Sequence, residues 1–328
     1  MNRTISIVGA GRVGKTLGKR LRECGWRIGA VVTRSSRTAR AAVRAIGGGT
    51  PKSSYTRDSV SGSLRRSRLQ PRHKGGPRRG ALAPEVILLT VPDDELASVS
   101  RKLAAVGGKS WRGKIVLHTS ATLDRTVLAP LARLGASTGS LHPMQAFGGK
   151  VIPKLSGVVF AVEGDPRARR VARSIAKSLG GITVSIDTRD KPVYHAAAVM
   201  AAGGAYPMIE AGLRMLMRIG FTRPRAMQTL LPLIRQIVDN VERIGPRASW
   251  TGPTSRGDYA IVARHARALR RYPREFQQAY AALSRLAGLL LAKKPAAALK
   301  QINRALKVST SRRGLSPASL KSSSGGNG

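Results

Sequence analysis

Thr4-Ile5-Ser6-Ile7-Val8-Gly9-Ala10-Gly11-Arg12-Val13-Gly14 is the stretch that decides the fold of this 328-residue chain. Its first five residues lack polar alternation, which predicts a strand buried on both faces. The G-x-G-x-x-G that follows stands between that strand and a helical pattern over Val13–Glu23. Gly9 allows a tight turn, Gly11 lets backbone approach a pyrophosphate, and Gly14 permits close helix–strand packing. The helix N-terminus offers unpaired amides and a positive dipole end. The hexapeptide alone is a weak signal. In this setting it points to a dinucleotide cofactor.

Outward from it, β-like runs alternate with helical ones. Strands are predicted at Thr4–Val8, Ile28–Thr33, Val86–Val91, Lys114–His118, Ser137–His142, Gly157–Val162 and Ile182–Ile186. Helical stretches between them include Asp93–Val106, Leu123–Leu134 and Pro166–Leu179. This predicts an α/β fold over residues 1–188, a doubly wound parallel sheet of the Rossmann kind. From residue 189 helical periodicity takes over, through 192–219, 223–243, 258–271, 273–292 and 295–307. A second, all-α domain over 189–308 is expected, with Pro192 to Ile209 read as a tightly packed core helix. The Ser-, Gly- and Lys-rich residues 309–328 read as a disordered tail. Residues 50–82, crowded with Pro, Gly, Ser and Arg, read as a basic, disordered insertion.

The formal net charge is +42, with 42 Arg and 16 Lys among the 58 basic residues. Thirteen basic residues face one acid, Asp58, between 34 and 82. Such a charge favours non-specific adhesion to nucleic acid, but aromatics are only 4%, against a stacking nucleic-acid module as the main function. A membrane partner is not expected, since no run of 18 apolar residues occurs. Arg12 and Lys15 interrupt the N-terminal apolar run too early for a signal peptide. Cys24 is the single cysteine, so an intrachain disulfide and a Cys-based zinc cluster are excluded, and no metal site is expected. These features suit a cytoplasmic protein.

The second strand ends in Thr33-Arg34-Ser35-Ser36-Arg37 without a carboxylate. An acid there would grip the ribose 2′-hydroxyl of NAD; arginine and hydroxyls suit the 2′-phosphate of NADP. The cofactor expected is NADP, with NAD second, on Gly9, Ala10, Gly11, Arg12, Val13, Gly14, Thr33, Arg34, Ser35, Val91, Pro92 and Asp93. Asp93 or Asp94 serves equally well as a helix cap.

Candidate catalytic residues are His118 and Ser120 after one strand, with Lys191 and His195 at i, i+4 on a helix face. A lysine and an imidazole converging on a carbonyl supply a proton as hydride reaches carbon. The alternative is a solvated lysine and a core histidine. Candidate substrate-binding residues are His142, Arg256, Asp258 and His265: Arg256 for a carboxylate, Asp258 as contact or helix cap.

Together the strings Gly9–Gly14, Val91-Pro92-Asp93-Asp94, His118-Thr119-Ser120, Leu141-His142-Pro143-Met144-Gln145, Tyr194-His195-Ala196-Ala197, 252–258 and His265 span nearly the whole chain in order. They resemble the bacterial Rossmann-like proteins that carry a C-terminal domain of unknown function 2520, relatives of pyrroline-5-carboxylate reductases and β-hydroxyacid dehydrogenases. With these candidate residues the reading is an NADP-dependent oxidoreductase acting on a small carbonyl or imine substrate that bears a carboxylate. The resemblance itself implies an NADP-binding Rossmann domain and supplies no substrate. It also implies a helical domain like the C-terminal domain of 6-phosphogluconate dehydrogenases, which often builds a homodimer. A non-catalytic NADP sensor is the alternative. Two departures stand out. Ala202-Gly203 replaces a Ser-Asn pair frequent in the family, and the basic stretch 53–81 is longer than the usual connection.

Overall fold

The computed structural model describes residues 3–53, 86–148 and 151–307. The chain forms two compact units, divided between Gly203 and Gly204. The expected insertion, from residue 54 onward, and the expected tail lie outside the described residues.

The first unit is an eight-stranded sheet: β1 (Thr4–Val8), β2 (Arg27–Thr33), β3 (Thr50–Ser53), β4 (Val86–Leu89), β5 (Ile115–His118), β6 (Ser137–Pro143), β7 (Val159–Gly164) and β8 (Ile182–Ser185), in the order β3-β2-β1-β4-β5-β6-β7-β8. Ile5, Ile7 and Val8 of β1 are buried, as are all four residues of β4 and of β5, so helices must cover both faces. One face buries Leu17 and Leu21 of α1 (Arg12–Glu23), Ala42 and Ile46 of α2 (Ser36–Ile46), and Ala168, Ala172 and Ile175 of α5 (Pro166–Ser178). The other buries Leu96, Val99 and Leu103 of α3 (Asp93–Gly107) and Leu131 of α4 (Ala129–Ala132). Each fully buried Leu or Ile contributes about 1.5–3 kcal/mol.

Several expectations change. Thr50–Ser53 is not insertion but the edge strand β3, parallel to β2. Its Pro51 and exposed polar side chains disguise it, and an edge is where a sheet tolerates them. The sheet is not all parallel: β7 runs antiparallel to β6. Among the described residues between them there is no crossover helix, and the chain returns at the same end, which gives that direction. The helix expected over 123–134 is a 3-10 turn at Arg125–Leu128 followed by the short α4. Asp124 caps the former through Thr126 N, and Pro130 opens the latter.

The first unit also runs past the expected boundary at residue 188, because α6 (Lys191–Ala198) anchors on β6. A π-helical turn at Val199–Gly203 follows, so 192–219 is not one helix. Nor is it core: Val193, Met200 and Tyr206 are each about two-thirds exposed or more, at 71%, 69% and 68%.

The second unit is helical: α7 (Ala205–Arg218), α8 (Arg223–Ile244), α9 (Pro253–Arg256), α10 (Tyr259–Ala268), α11 (Arg274–Leu290) and α12 (Pro295–Lys307). Its buried cluster joins Val262 and Ala266 of α10 to Ile302, Ala305 and Leu306 of α12. Among the described residues no helix is long and apolar enough to cross a membrane.

Candidate functional site

In an open α/β sheet the crevice lies at the C-terminal strand ends. After β1 the chain turns at Gly9, whose φ of 90° lies in the left-handed region. A Cβ there would stand 2.8 Å from Val91 N, and one on Gly14 would stand 2.5 Å from Gly9 O. Ala10 and Val13 pack partly buried against the core, and the Thr90 hydroxyl donates to Gly9 O, fixing the loop. Gly11 is different, because a Cβ placed on it would meet nothing within 4 Å. Gly11 caps α1 without a side chain, and the first turn of α1 carries no acid. Orphan amides and the positive helix end therefore face open space beside the exposed Arg12. The chemistry of that cradle fits a diphosphate.

At the end of β2 the hydroxyls are occupied. Ser35 caps α2, its Oγ accepting from Thr38 N at 3.2 Å, and Thr33 Oγ1 donates to Ser35 O at 2.8 Å. Thr33 and Ser35 thus shape the turn, while Arg34 projects from it, 81% exposed, with its guanidinium 3.3 Å from Glu95 Oε1.

Asp93 caps nothing: the cap position of α3 falls on Pro92, and no side chain bonds the first amides there. Asp93 Oδ2 instead accepts from Ser120 Oγ at 2.6 Å and Thr122 Oγ1 at 3.1 Å, tying the β4 and β5 loops together beyond Val91. Ser120 Oγ also accepts from Leu123 N at 2.9 Å. His118 is wholly buried. Its Nδ1 accepts from Ser120 N at 3.2 Å, which leaves the ring proton on Nε2 to donate to Asp124 O at 3.1 Å. Burial, with the Lys191 charge nearby, pushes its pKa down to about 4. His118 and Ser120 thus hydrogen-bond within the loop that follows β5.

The face shared by Lys191 and His195 is laid against β6. Lys191 is buried and donates from Nζ to Ser140 Oγ at 2.9 Å. Burial lowers its pKa, opposed by Glu163, Asp124 and Asp93. Glu163 stands opposite Ser140 in the β6–β7 register; burial raises its pKa, and its carboxylate accepts from Arg125 N at 3.0 Å. One of the three ammonium N–H groups is thereby committed to β6. Two residues beyond Ser140, on the same face of β6, His142 lies with Nδ1 3.2 Å from Tyr194 Oη. The His142 ring meets Tyr194 edge-on at 5.6 Å and His195 at 6.4 Å between centroids. Burial, His195 and Lys191 hold His142 down at about 4, and burial raises the Tyr194 phenol, so a neutral imidazole faces a protonated hydroxyl at neutral pH.

Sequence reasoning passed over Tyr194, Ser140, Glu163 and Glu95 as functional residues. Tyr194 stands inside the quoted Tyr194-His195 string, and Ser140 follows from the period of two before His142. Glu163 and Glu95 carry no local signal, since only the sheet register and helix placement bring them in.

In the second unit Arg256 Nε pairs with Asp258 Oδ2 at 3.1 Å, both exposed. Asp258 occupies the cap position of α10 without a side-chain cap bond. His265 Nδ1 lies 3.0 Å from Tyr280 Oη.

A family model for a Rossmann-like domain matches residues 2–143, and one for a domain of unknown function, DUF2520, matches 158–287. The second match begins within the sheet of the first unit, one residue before β7. No curated protein matches the chain significantly. Among solved structures, a candidate NADP oxidoreductase of Bacteroides fragilis is 20% identical with a TM-score of 0.66, covering 87% of this chain and 97% of its own. Protein TM1727 of Thermotoga maritima is 22% identical with a TM-score of 0.60, covering 92% and 98%. A 1-pyrroline-5-carboxylate reductase of Streptococcus pyogenes is 16% identical with a TM-score of 0.54, covering 93% and 98%. At these identities the likeness establishes the fold. Along the chain a match to the Rossmann-like domain is thus followed by a match to the DUF2520 domain.

Proposed function

We propose that the protein is an NADP-dependent oxidoreductase acting on a small carbonyl or imine that bears a carboxylate. The observation that carries this reading is the placement of two features at one end of one sheet. The open glycine cradle follows β1, and the His142–Tyr194 pair stands at the end of β6, three strands away or ~14 Å. That separation is within reach of the nicotinamide half of an extended dinucleotide. The names of the similar structures, an NADP oxidoreductase and a pyrroline-5-carboxylate reductase, support the same chemistry.

The nicotinamide, when bound, supplies or accepts the hydride. Gly9 to Gly14 and the first turn of α1 hold the diphosphate, with Val91 and Pro92 walling the loop. Arg34 binds the 2′-phosphate. Tyr194 gives its phenolic proton to the substrate oxygen or nitrogen, and His142 aligns that proton. His195 flanks the pair. Lys191 and Ser140 set the height of α6 over β6, which makes them positioning residues. In the second unit, taken by itself, the exposed Arg256 can exchange Asp258 for a carboxylate. The test is loss of reduced-nicotinamide absorbance with a panel of α-keto acids and cyclic imines: reproducible turnover that vanishes in Tyr194→Phe supports the reading. Tight NADPH binding with no turnover on the whole panel favours a sensor.

The partner in solution is a second copy. α8 has two apolar stripes. Ala226, Leu230 and Ile234 form the less exposed one, while Leu233, Ile237, Val241 and Ile244 lie 39–59% exposed at helical spacing. A monomer seldom leaves so continuous an apolar stripe in water.

A further inference from the structure

We propose that Glu95 sets the discrimination between NADP and NAD by competing with the 2′-phosphate for Arg34. This rests on the cofactor reading above and adds a residue to it. β2 and β4 flank β1 on either side. Arg34 leaves the end of β2, and Glu95 sits in the first turn of α3, which follows β4. Their 3.3 Å ion pair therefore crosses over the C-terminal end of β1, a span of ~10 Å between the flanking strands. Beneath it the chain turns into the Gly9–Gly14 cradle. In a dinucleotide fold the adenosine ribose lies beside the end of the second strand, so the pair bridges the groove that this ribose enters.

The chemistry makes the bridge exchangeable. Arg34 is 81% exposed, so it is free to swing, and a guanidinium takes a phosphate through two parallel hydrogen bonds. Glu95 lies in the acidic first turn of α3, Asp93-Asp94-Glu95, where the positive helix end supports its charge after Arg34 departs. NAD brings no 2′-phosphate and leaves the bridge closed. Glu95 thus tempers the grip on NADP, and Arg34 has no comparable reason to move for NAD.

The experiment titrates the full-length protein with NADPH, NADH and 2′,5′-ADP, comparing wild type with Glu95→Gln, Asp94→Asn, Arg34→Ala and the Arg34→Ala/Glu95→Gln double variant. Circular dichroism checks the fold of each. Glu95→Gln is expected to tighten NADPH and 2′,5′-ADP by about two- to fivefold, the range that one exposed ion pair carries, with NADH unchanged. Asp94→Asn removes the same charge from the neighbouring position, and it should leave the NADPH-to-NADH ratio alone. In the Arg34→Ala background the Glu95→Gln effect should vanish. Weaker or unchanged NADPH binding in Glu95→Gln, an equal effect of Asp94→Asn, or an effect that survives Arg34→Ala overturns the proposal while leaving the cofactor reading intact. If wild type itself does not distinguish NADPH from NADH and Arg34→Ala changes neither, the cofactor reading fails and the proposal falls with it.

Discussion

The Tyr194 hydroxyl lies 3.2 Å from His142 Nδ1, joining α6 to the end of β6. With the imidazole held neutral and the phenol held protonated, the pair keeps one proton at the crevice across the physiological range. Tyr194→Phe removes that proton and little else. Turnover should fall by about 10²–10⁴, the usual contribution of a positioned donor, with NADPH affinity within about twofold of wild type. Full activity in the variant would remove Tyr194 from the chemistry.

Lys191 makes the opposite prediction. Its ammonium is buried against Ser140, so Lys191→Ala deletes a packed stem and leaves that hydroxyl without its donor. Stability should drop by about 2–4 kcal/mol in urea denaturation, while the folded fraction keeps its activity within about tenfold. A hundredfold loss of turnover at unchanged stability would return Lys191 to the catalytic role expected from the sequence.

His118 and His142 give the protein an acid limit. Both have folded-state pKa values of about 4, against 6.5 for the unperturbed group. The unfolded chain therefore binds more protons between these values, so stability is fully present above about pH 6.5 and is lost as pH falls toward 4. The share from His118 alone is about 3 kcal/mol. Thermal melts across this window should show the slope, and His118→Asn should flatten it. An unchanged slope in the variant would contradict the assignment.

The exposed stripe on α8 predicts assembly. Light scattering should give twice the chain mass for wild type and the chain mass for Ile237→Glu, which sets a charge at the middle of the stripe. A monomeric wild type, or a variant that stays dimeric, rejects this surface.

Much of the frame was legible because local rules fix it. The glycine loop needs its particular residues wherever a strand meets a helix this way, and buried parallel strands write themselves as apolar runs. β3 was not legible, since an edge strand of Thr50-Pro51-Lys52-Ser53 carries no apolar signal. The surroundings of the candidate site residues were not legible. His118, Ser120 and Lys191 are residue types that do chemistry when water-exposed, and only the fold decides that theirs point inward. Partners such as Glu163 and Glu95 lie across strand registers and helix starts, where sequence spacing says nothing about contact.

The central claim, that the Gly9–Gly14 loop is a cradle for NADP, is tested most directly at Gly11. A Cβ there meets no atom of the protein within 4 Å and the backbone φ is −70°, so Gly11→Val should fold, losing about 1 kcal/mol for valine in place of glycine at the cap of α1. Its side chain would enter the space that a diphosphate needs. Fluorescence titration should find wild type binding NADPH at least about tenfold more tightly than NADH, as one strong phosphate contact gives, and Gly11→Val binding neither. A wild type that prefers NADH or binds neither nucleotide, or a Gly11→Val protein that binds NADPH as wild type does, would contradict the account.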